Sequence, residues 1–148
     1  MPSVCPQCGA RFEAGENCRD QFNVSQVAEV EQPAYYAVHH LSVASYMLQH
    51  NIYASEGWLL TRELLNQFVH HALTPAMARR QNRLKVDSGR RTFSFTKGEK
   101  LPGVENISWT ITIADVRLDT AAHYCGDVLR WAESVLADSE ALIRSQPQ

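Results

Sequence analysis

Three of the four cysteines in this 148-residue chain lie within its first eighteen residues, as Cys5, Cys8 and Cys18. Cys5 and Cys8 are separated by two residues, so both sulfurs can reach one metal ion while backbone amides of the turn donate to the thiolates. Gly9 suits the backbone turn that follows. Zn²⁺ favours tetrahedral sites of thiolate and imidazole ligands. The spacing therefore predicts a zinc knuckle at the N-terminus.

Two other interpretations of the C-x-x-C pair stay open. The first is a pair of reduced cysteines on a loose N-terminal segment. The second is a redox dithiol, but such pairs normally open a helix after a strand, and residues 1–4 offer no strand. The clustering of cysteines in a chain without secretion features favours metal over disulfides.

The fourth ligand is expected from a helix that contains both His39 and His50. These histidines are eleven residues apart, about 16 Å along a helix, so they cannot bind one ion together. If helices 18–31 and 33–50 form an antiparallel pair around the break at Pro33, Cys18 lies level with residues 46–48. His50 is then the nearer histidine. The predicted ligands are Cys5, Cys8, Cys18 and His50, with His39 as the substitute.

Segments along most of the chain resemble a bacterial family known only as a domain of unknown function. The resemblance rests on the C-P-x-C-G-A knuckle at residues 5–10, on Cys18, and on an H-x-L-x-V-x-x-Y-x-x-Q-H helix ending at His50. It continues at residues 114–116 and in the last helix. The resemblance implies one functional unit, but no reaction, because the family has no established activity. That unit comprises Cys5, Cys8, Cys18, His39, Tyr46, Gln49 and His50.

The pattern of the remaining chain predicts a mostly α (α+β) fold. Helices are expected over residues 18–31, with Phe22, Val27 and Val30 at apolar positions, and then over 33–50, 56–73, 75–86 and 121–145. Thr74 and either Asp119 or Thr120 are predicted N-caps. Residues 92–96 and 107–113 are β-prone, which predicts a hairpin with a long loop. The expected architecture is a helical bundle with an N-terminal zinc knuckle and a small antiparallel β hairpin.

The length suits one domain spanning residues 1–148. Within it, a knuckle at residues 1–18 is expected to pack on helices 18–31 and 33–51, with residues 52–148 adding further helices and the hairpin. The composition, 45% hydrophobic and 20% charged with a net charge of -2, is that of a soluble globular protein. No apolar run approaches the roughly 18 residues of a membrane span. Without signal-peptide features at the N-terminus, the expected location is the cytosol.

Basic residues concentrate in one segment: Arg79, Arg80, Arg83, Lys85, Arg90 and Arg91. A patch of this kind can bind the phosphate backbone of nucleic acid or dock an acidic protein. The simpler interpretation is a solvated helix face.

Two classes of function follow. Four protein ligands would close the zinc shell, which predicts a structural metal in a partner-binding module whose N-terminal third loosens on chelation. The alternative is a metal-dependent enzyme, a hydrolase or thiol transferase, with a histidine cluster in the helical core. Its candidate residues are His39, His71 and His123, with Tyr46 or Asp127 as an acid or base.

Overall fold

A computed structural model of the chain describes residues 3–13, 15–87 and 96–146, with the backbone alone for residues 82–87. Two short strands, β1 and β2, pair antiparallel through Ser3 with Phe12 and Val4 with Arg11. Helices make up most of the described chain. The element bounds are β1 Ser3–Val4, β2 Arg11–Phe12, α1 Cys18–Glu31, α2 Pro33–Tyr36, α3 His39–Gln49, α4 Ser55–His70, α5 Pro75–Asp87 and α6 Ala121–Arg144.

Three of the helices in the described chain, α1, α5 and α6, begin where a side-chain cap satisfies one of their first backbone amides. The Asn17 side chain accepts a hydrogen bond from the Asp20 amide at the start of α1. Thr74 and Thr120 do the same for α5 and α6, as predicted. Each cap satisfies an amide that has no partner inside the helix.

The core lies where α3 packs between α4 and α6. It contains two fully buried tryptophans, and the Trp58 indole donates to the Leu48 carbonyl over 3.0 Å. Further side chains with no exposed surface are Tyr124, Leu48, Leu65, Val128 and Val135. Within the described residues, no helix combines the length and apolar character needed to cross a bilayer.

The antiparallel hairpin is present, but at the N-terminus rather than at residues 92–96 and 107–113. Residues 107–113 form no strand, although Ile107, Trp109 and Ile111 pack against the core. Side chains from helices, rather than a partner strand, form hydrogen bonds with this backbone. The Thr110 amide donates to Asp138, and Gln49 donates to the Ile111 carbonyl. Residues 92–95 of the predicted partner strand lie outside the described residues.

Two predictions about the helices at residues 18–50 were also wrong in detail. The expected helix over 33–50 is two helices, separated at Ala37 and Val38. The first of them, α2, is held to a later segment of the chain, since the Tyr35 hydroxyl donates to the Leu118 carbonyl over 2.9 Å. In α1 the predicted apolar positions Val27 and Val30 are exposed.

Candidate metal centre

The β1–β2 hairpin carries the first two cysteines. The Gly9 amide donates to the Cys5 carbonyl over 2.9 Å, and the Cys5 amide donates to the Ala10 carbonyl over the same distance. Gly9 has a φ of 81°, a left-handed conformation that glycine adopts without strain. The resulting tight turn places Cys8 inside, at 2% exposure, and leaves Cys5 half-buried.

The third cysteine opens α1. Because Asn17 caps the helix, Cys18 stands in the first turn, and its side chain is buried. The buried face of α1 continues through Phe22, Ser25 and Glu29, at spacings of four, three and four residues. Cys18 is thus the first position of the stripe that packs on the rest of the molecule.

His50 ends α3 and is held in one orientation. Its Nδ1 lies 2.7 Å from the Tyr46 carbonyl oxygen, so this nitrogen carries the proton and donates. The ring also stacks on Tyr46, which stacks in turn on Phe22, with ring centroids 4.0 and 3.9 Å apart. These contacts leave Nε2 as the ring nitrogen with a free lone pair. A backbone acceptor behind a histidine is the usual partner of a metal-binding imidazole.

The side chains of Cys5, Cys8, Cys18 and His50 meet at one point. One ligand atom from each lies within 4.8 Å of all the others, so the group can hold a metal ion. The Cys18 thiol donates to the Cys5 sulfur over 3.4 Å. His50 Nε2 lies 3.2 Å from the Cys18 sulfur and 3.7 Å from the Cys5 sulfur. The chain brings these atoms together across 45 residues.

This N-terminal knuckle, together with the histidine-ended helix, is covered by a family model. The model matches residues 3–140 and is described as a family of unknown function, DUF5946. The chain belongs to that family. No curated protein and no solved structure matches the chain. The family assignment confirms the resemblance seen in the sequence, and it supplies no activity.

The four candidate ligands of this DUF5946 chain differ in their acid–base behaviour. Burial acts to raise the pKa of the Cys5 thiol, but hydrogen bonds from the backbone amides of Cys8 and Gln7 outweigh it and lower this pKa. Burial raises the pKa of Cys8 and of Cys18. Burial lowers the pKa of His50, which favours its neutral, metal-binding form.

Tyr46 and Gln49 support the site without belonging to the four-residue group. Tyr46 is sandwiched between Phe22 and His50, and burial raises its pKa to about 12, so its hydroxyl stays neutral. The Gln49 side chain accepts from the Trp131 indole over 3.0 Å. Gln49 thereby ties the end of α3 to α6, immediately before His50.

His39, the substitute ligand, lies elsewhere. Its Nδ1 is 2.7 Å from an Oε1 atom of Glu29, and the ring stacks on Tyr36. His39 and His50 are eleven residues apart along the chain, so they do not reach the same site, as expected. In the part of the chain that the structure describes, His39 does not join the group of Cys5, Cys8, Cys18 and His50.

The histidine cluster of the enzyme alternative does not assemble either. His71 is exposed at the end of α4, and His123 is exposed and paired with Asp119. Asp127, the proposed acid or base, accepts from Arg117 and Arg130. These contacts hold the Asp127 pKa well below its usual range, chiefly through the Arg117 hydrogen bond. Among the described residues, the only group able to hold a metal is the one containing His50.

The predicted basic patch is described in part. Arg79 and Arg80 are exposed on α5, and Arg83 and Lys85 belong to the same helix. Arg90 and Arg91 lie outside the described residues.

Sequence reasoning missed Glu29, the most buried carboxylate among the described residues, at 1% exposure. It accepts hydrogen bonds from Ser42 and Tyr124 as well as contacting His39. The signal was available in the spacing: Glu29 is eleven residues after Cys18, on the stripe of Phe22 and Ser25. The valines on the other side of α1, which are exposed, suggested a different buried face for this helix.

Proposed function

We propose that the chain is a zinc-binding protein in which Cys5, Cys8, Cys18 and His50 hold one structural Zn²⁺. The observation that carries the proposal is the approach of three sulfurs and one imidazole nitrogen to within 4.8 Å of one another. They come from three separate segments of the chain: a hairpin, the start of α1 and the end of α3.

The donor set fits zinc. A tetrahedral site with Zn–S bonds of about 2.3 Å separates its sulfurs by about 3.8 Å, close to the 3.4 Å between Cys18 and Cys5. Thiolates and a neutral imidazole select Zn²⁺ over the hard cations, which take oxygen ligands. The lowered pKa of Cys5 and the fixed tautomer of His50 prepare two of the four proposed ligands.

The ligand count supports a structural metal. Three cysteines and one histidine complete a tetrahedral shell, whereas a catalytic zinc keeps one position for water or substrate. The metal would fasten the hairpin to α1 and α3, and we extend the proposal to a single domain spanning residues 1–148. A reduced cysteine cluster also supports a cytoplasmic location.

Elemental analysis of untagged protein, purified without added metal, tests the proposal. We expect one zinc per chain in the wild type and a loss of roughly 90% or more in the Cys8→Ser variant, because structural zinc needs all four ligands. Cys125→Ser is the matched control, since Cys125 lies on α6 and its thiol contacts the Ala34 carbonyl. It should retain all of its zinc. Absence of zinc from the wild type would reject the proposal.

Two histidine variants distinguish the ligand assignment from its alternative. His50→Ala should lose zinc, because Nε2 of His50 faces the sulfurs. His39→Asn should keep zinc, because its ring contacts Glu29. The reverse pattern would mean that His39 is the ligand.

We also propose a role as a partner-binding module, because a closed shell would leave no metal position for catalysis. The exposure of Arg79 and Arg80 on α5 supports an acidic partner. Single-stranded oligonucleotide, measured by fluorescence anisotropy, is a suitable first probe. Binding that weakens with added salt and in an Arg79→Glu, Arg80→Glu double variant would support the role, and unaltered binding would reject this surface.

A further inference from the structure

A groove of about 370 Å³ lies between α3, α4 and α5, apart from the cysteine cluster. Its walls are mostly apolar, but they include a histidine at the start of α3. The residues that matter here are His39, Val43, Leu64 and Phe68. A largely apolar concavity with a few polar groups is the usual form of a small-molecule site.

The histidine in this wall is backed by a buried carboxylate. Glu29 has a side chain with no exposed surface, whereas the His39 side chain is 38% exposed. His39 Nδ1 lies 2.7 Å from Glu29 Oε1, while Ser42 and Tyr124 donate to Oε2. Three side chains, two from α3 and one from α6, thus contact the two Glu29 oxygens and hold the carboxylate in place.

This pairing determines the role of the other ring nitrogen. In neutral imidazole, a proton on Nδ1 leaves Nε2 as a hydrogen-bond acceptor. Stacking on Tyr36, with centroids 4.8 Å apart, further restricts the ring. An oriented acceptor in a mainly apolar wall calls for a ligand that brings one donor and an apolar body.

His40, on the same wall, adds little competing charge. Its ring packs edge-on against Phe68, with centroids 4.7 Å apart. Burial lowers the pKa of His40 and favours its neutral form. Arg79 lies at the groove as well, on exposed helix surface. Of the groove residues His39, His40 and Arg79, His39 is therefore the one whose orientation is fixed by a buried partner.

We propose that this groove binds a small apolar molecule carrying a hydroxyl group, such as a phenol, whose O–H donates to His39 Nε2. The apolar body would pack on Val43, Leu64 and Phe68. The proposal does not depend on the metal centre, since none of the four clustered residues lines the groove.

The test compares p-cresol with toluene, which has the same shape without the hydroxyl. Binding is followed by NMR chemical-shift titration of the full chain at mildly alkaline pH. We expect p-cresol to bind several-fold to roughly tenfold more tightly than toluene, the worth of one hydrogen bond. Shifts should concentrate at residues of α3 and α4 along the groove. Equal affinity for both molecules, or no binding of p-cresol, would overturn the proposal.

Two variants localise the effect. His39→Asn retains a side-chain N–H toward Glu29 but removes Nε2, so p-cresol affinity should fall to that of toluene. His123→Asn is the matched control, because His123 also pairs with a carboxylate but on exposed surface of α6. It should bind p-cresol like the wild type. Unchanged binding in His39→Asn would overturn the assignment of Nε2.

A third variant covers the case in which His39→Asn fails to fold. Leu64→Trp fills the groove from α4, which supplies none of the three Glu29 partners, and should abolish binding of both molecules. Retained binding in this variant would place the ligand elsewhere and reject the groove.

Discussion

The N-terminal corner and the helical core of this protein are held by different forces. The proposed metal corner consists of residues 3–13 and 15–18 together with His50, and most of these residues are exposed. Its buried apolar side chains, apart from the cysteines, are Ala10 and Phe12. The helical core, formed by α3, α4 and α6, buries two tryptophans, a tyrosine and several aliphatic side chains completely.

The difference indicates where a metal is needed. Burial of apolar surface contributes about 25 cal/mol per Å², and a short hairpin with few large apolar side chains gains little from it. The proposed zinc, held by Cys5, Cys8, Cys18 and His50, would supply the stability that the corner lacks. The core has no such need, so the two regions should respond separately to mutation.

The largest effect is expected in the core. Trp131→Ala should lower the free energy of unfolding by about 3–5 kcal/mol, because it leaves a large cavity and removes the donor to Gln49. Leu129→Ala, on the exposed side of the same helix, should change it by less than about 1 kcal/mol. Urea unfolding followed by circular dichroism measures both. Equal effects would contradict the account of the core.

The next effect concerns the buried carboxylate that joins three helices. Glu29→Gln should cost about 1.5–3 kcal/mol, because it removes a charged acceptor from Ser42, Tyr124 and His39. The matched control is Glu31→Gln, at an exposed position at the end of the same helix. Urea unfolding measures the stability of both variants. A Glu29→Gln variant as stable as the wild type would show that the network adds nothing to stability.

A smaller effect depends on pH. The pKa of Asp127 is lowered in the folded state, so its stabilising contribution is present above the unfolded value of about 3.9 and is lost as pH falls toward its folded pKa. Asp127→Asn should cost about 1 kcal/mol at neutral pH, and the difference between the two proteins should begin to shrink below about pH 4. Thermal unfolding between neutral pH and about pH 3 checks this. Parallel curves would contradict it.

The smallest effect on the core is expected from the metal corner. Cys8→Ser should lower the stability reported by tryptophan fluorescence by about 1 kcal/mol or less, because Trp58, Trp109 and Trp131 all lie outside the corner. Cys125→Ser serves as the control. A loss as large as that of Trp131→Ala would mean that the metal supports the whole fold.

The sequence predicted what depends on local chemistry. The capping residues Thr74 and Thr120 located helix starts, and the bounds of α1 agree with the predicted residues 18–31. The approach of Cys18 to His50 followed from an antiparallel helix pair. The contacts of Cys18 with His50, Phe22 with Tyr46 and Glu29 with His39 run in opposite order along the two segments, as that arrangement requires. Helix caps and register act over a few residues, so a single sequence contains them.

What the sequence could not predict depends on distant contacts. The alternation at residues 107–113 is real, but Asp138 and Gln49 occupy backbone groups that a strand would use. Likewise, a glutamate is a poor candidate for burial until three donors from other helices are known to meet it. The sequence pattern does not identify the metal either, because several ions accept sulfur and nitrogen ligands.

The most direct test of the central claim is hydrogen exchange of the zinc-loaded protein before and after chelation. We expect faster exchange in residues 3–13 and in the first turn of α1, with α4 and α6 protected as before. Unchanged exchange throughout would show that no metal holds the corner. A loss of protection across α4 and α6 would show that the metal creates the fold rather than fastening the corner to it.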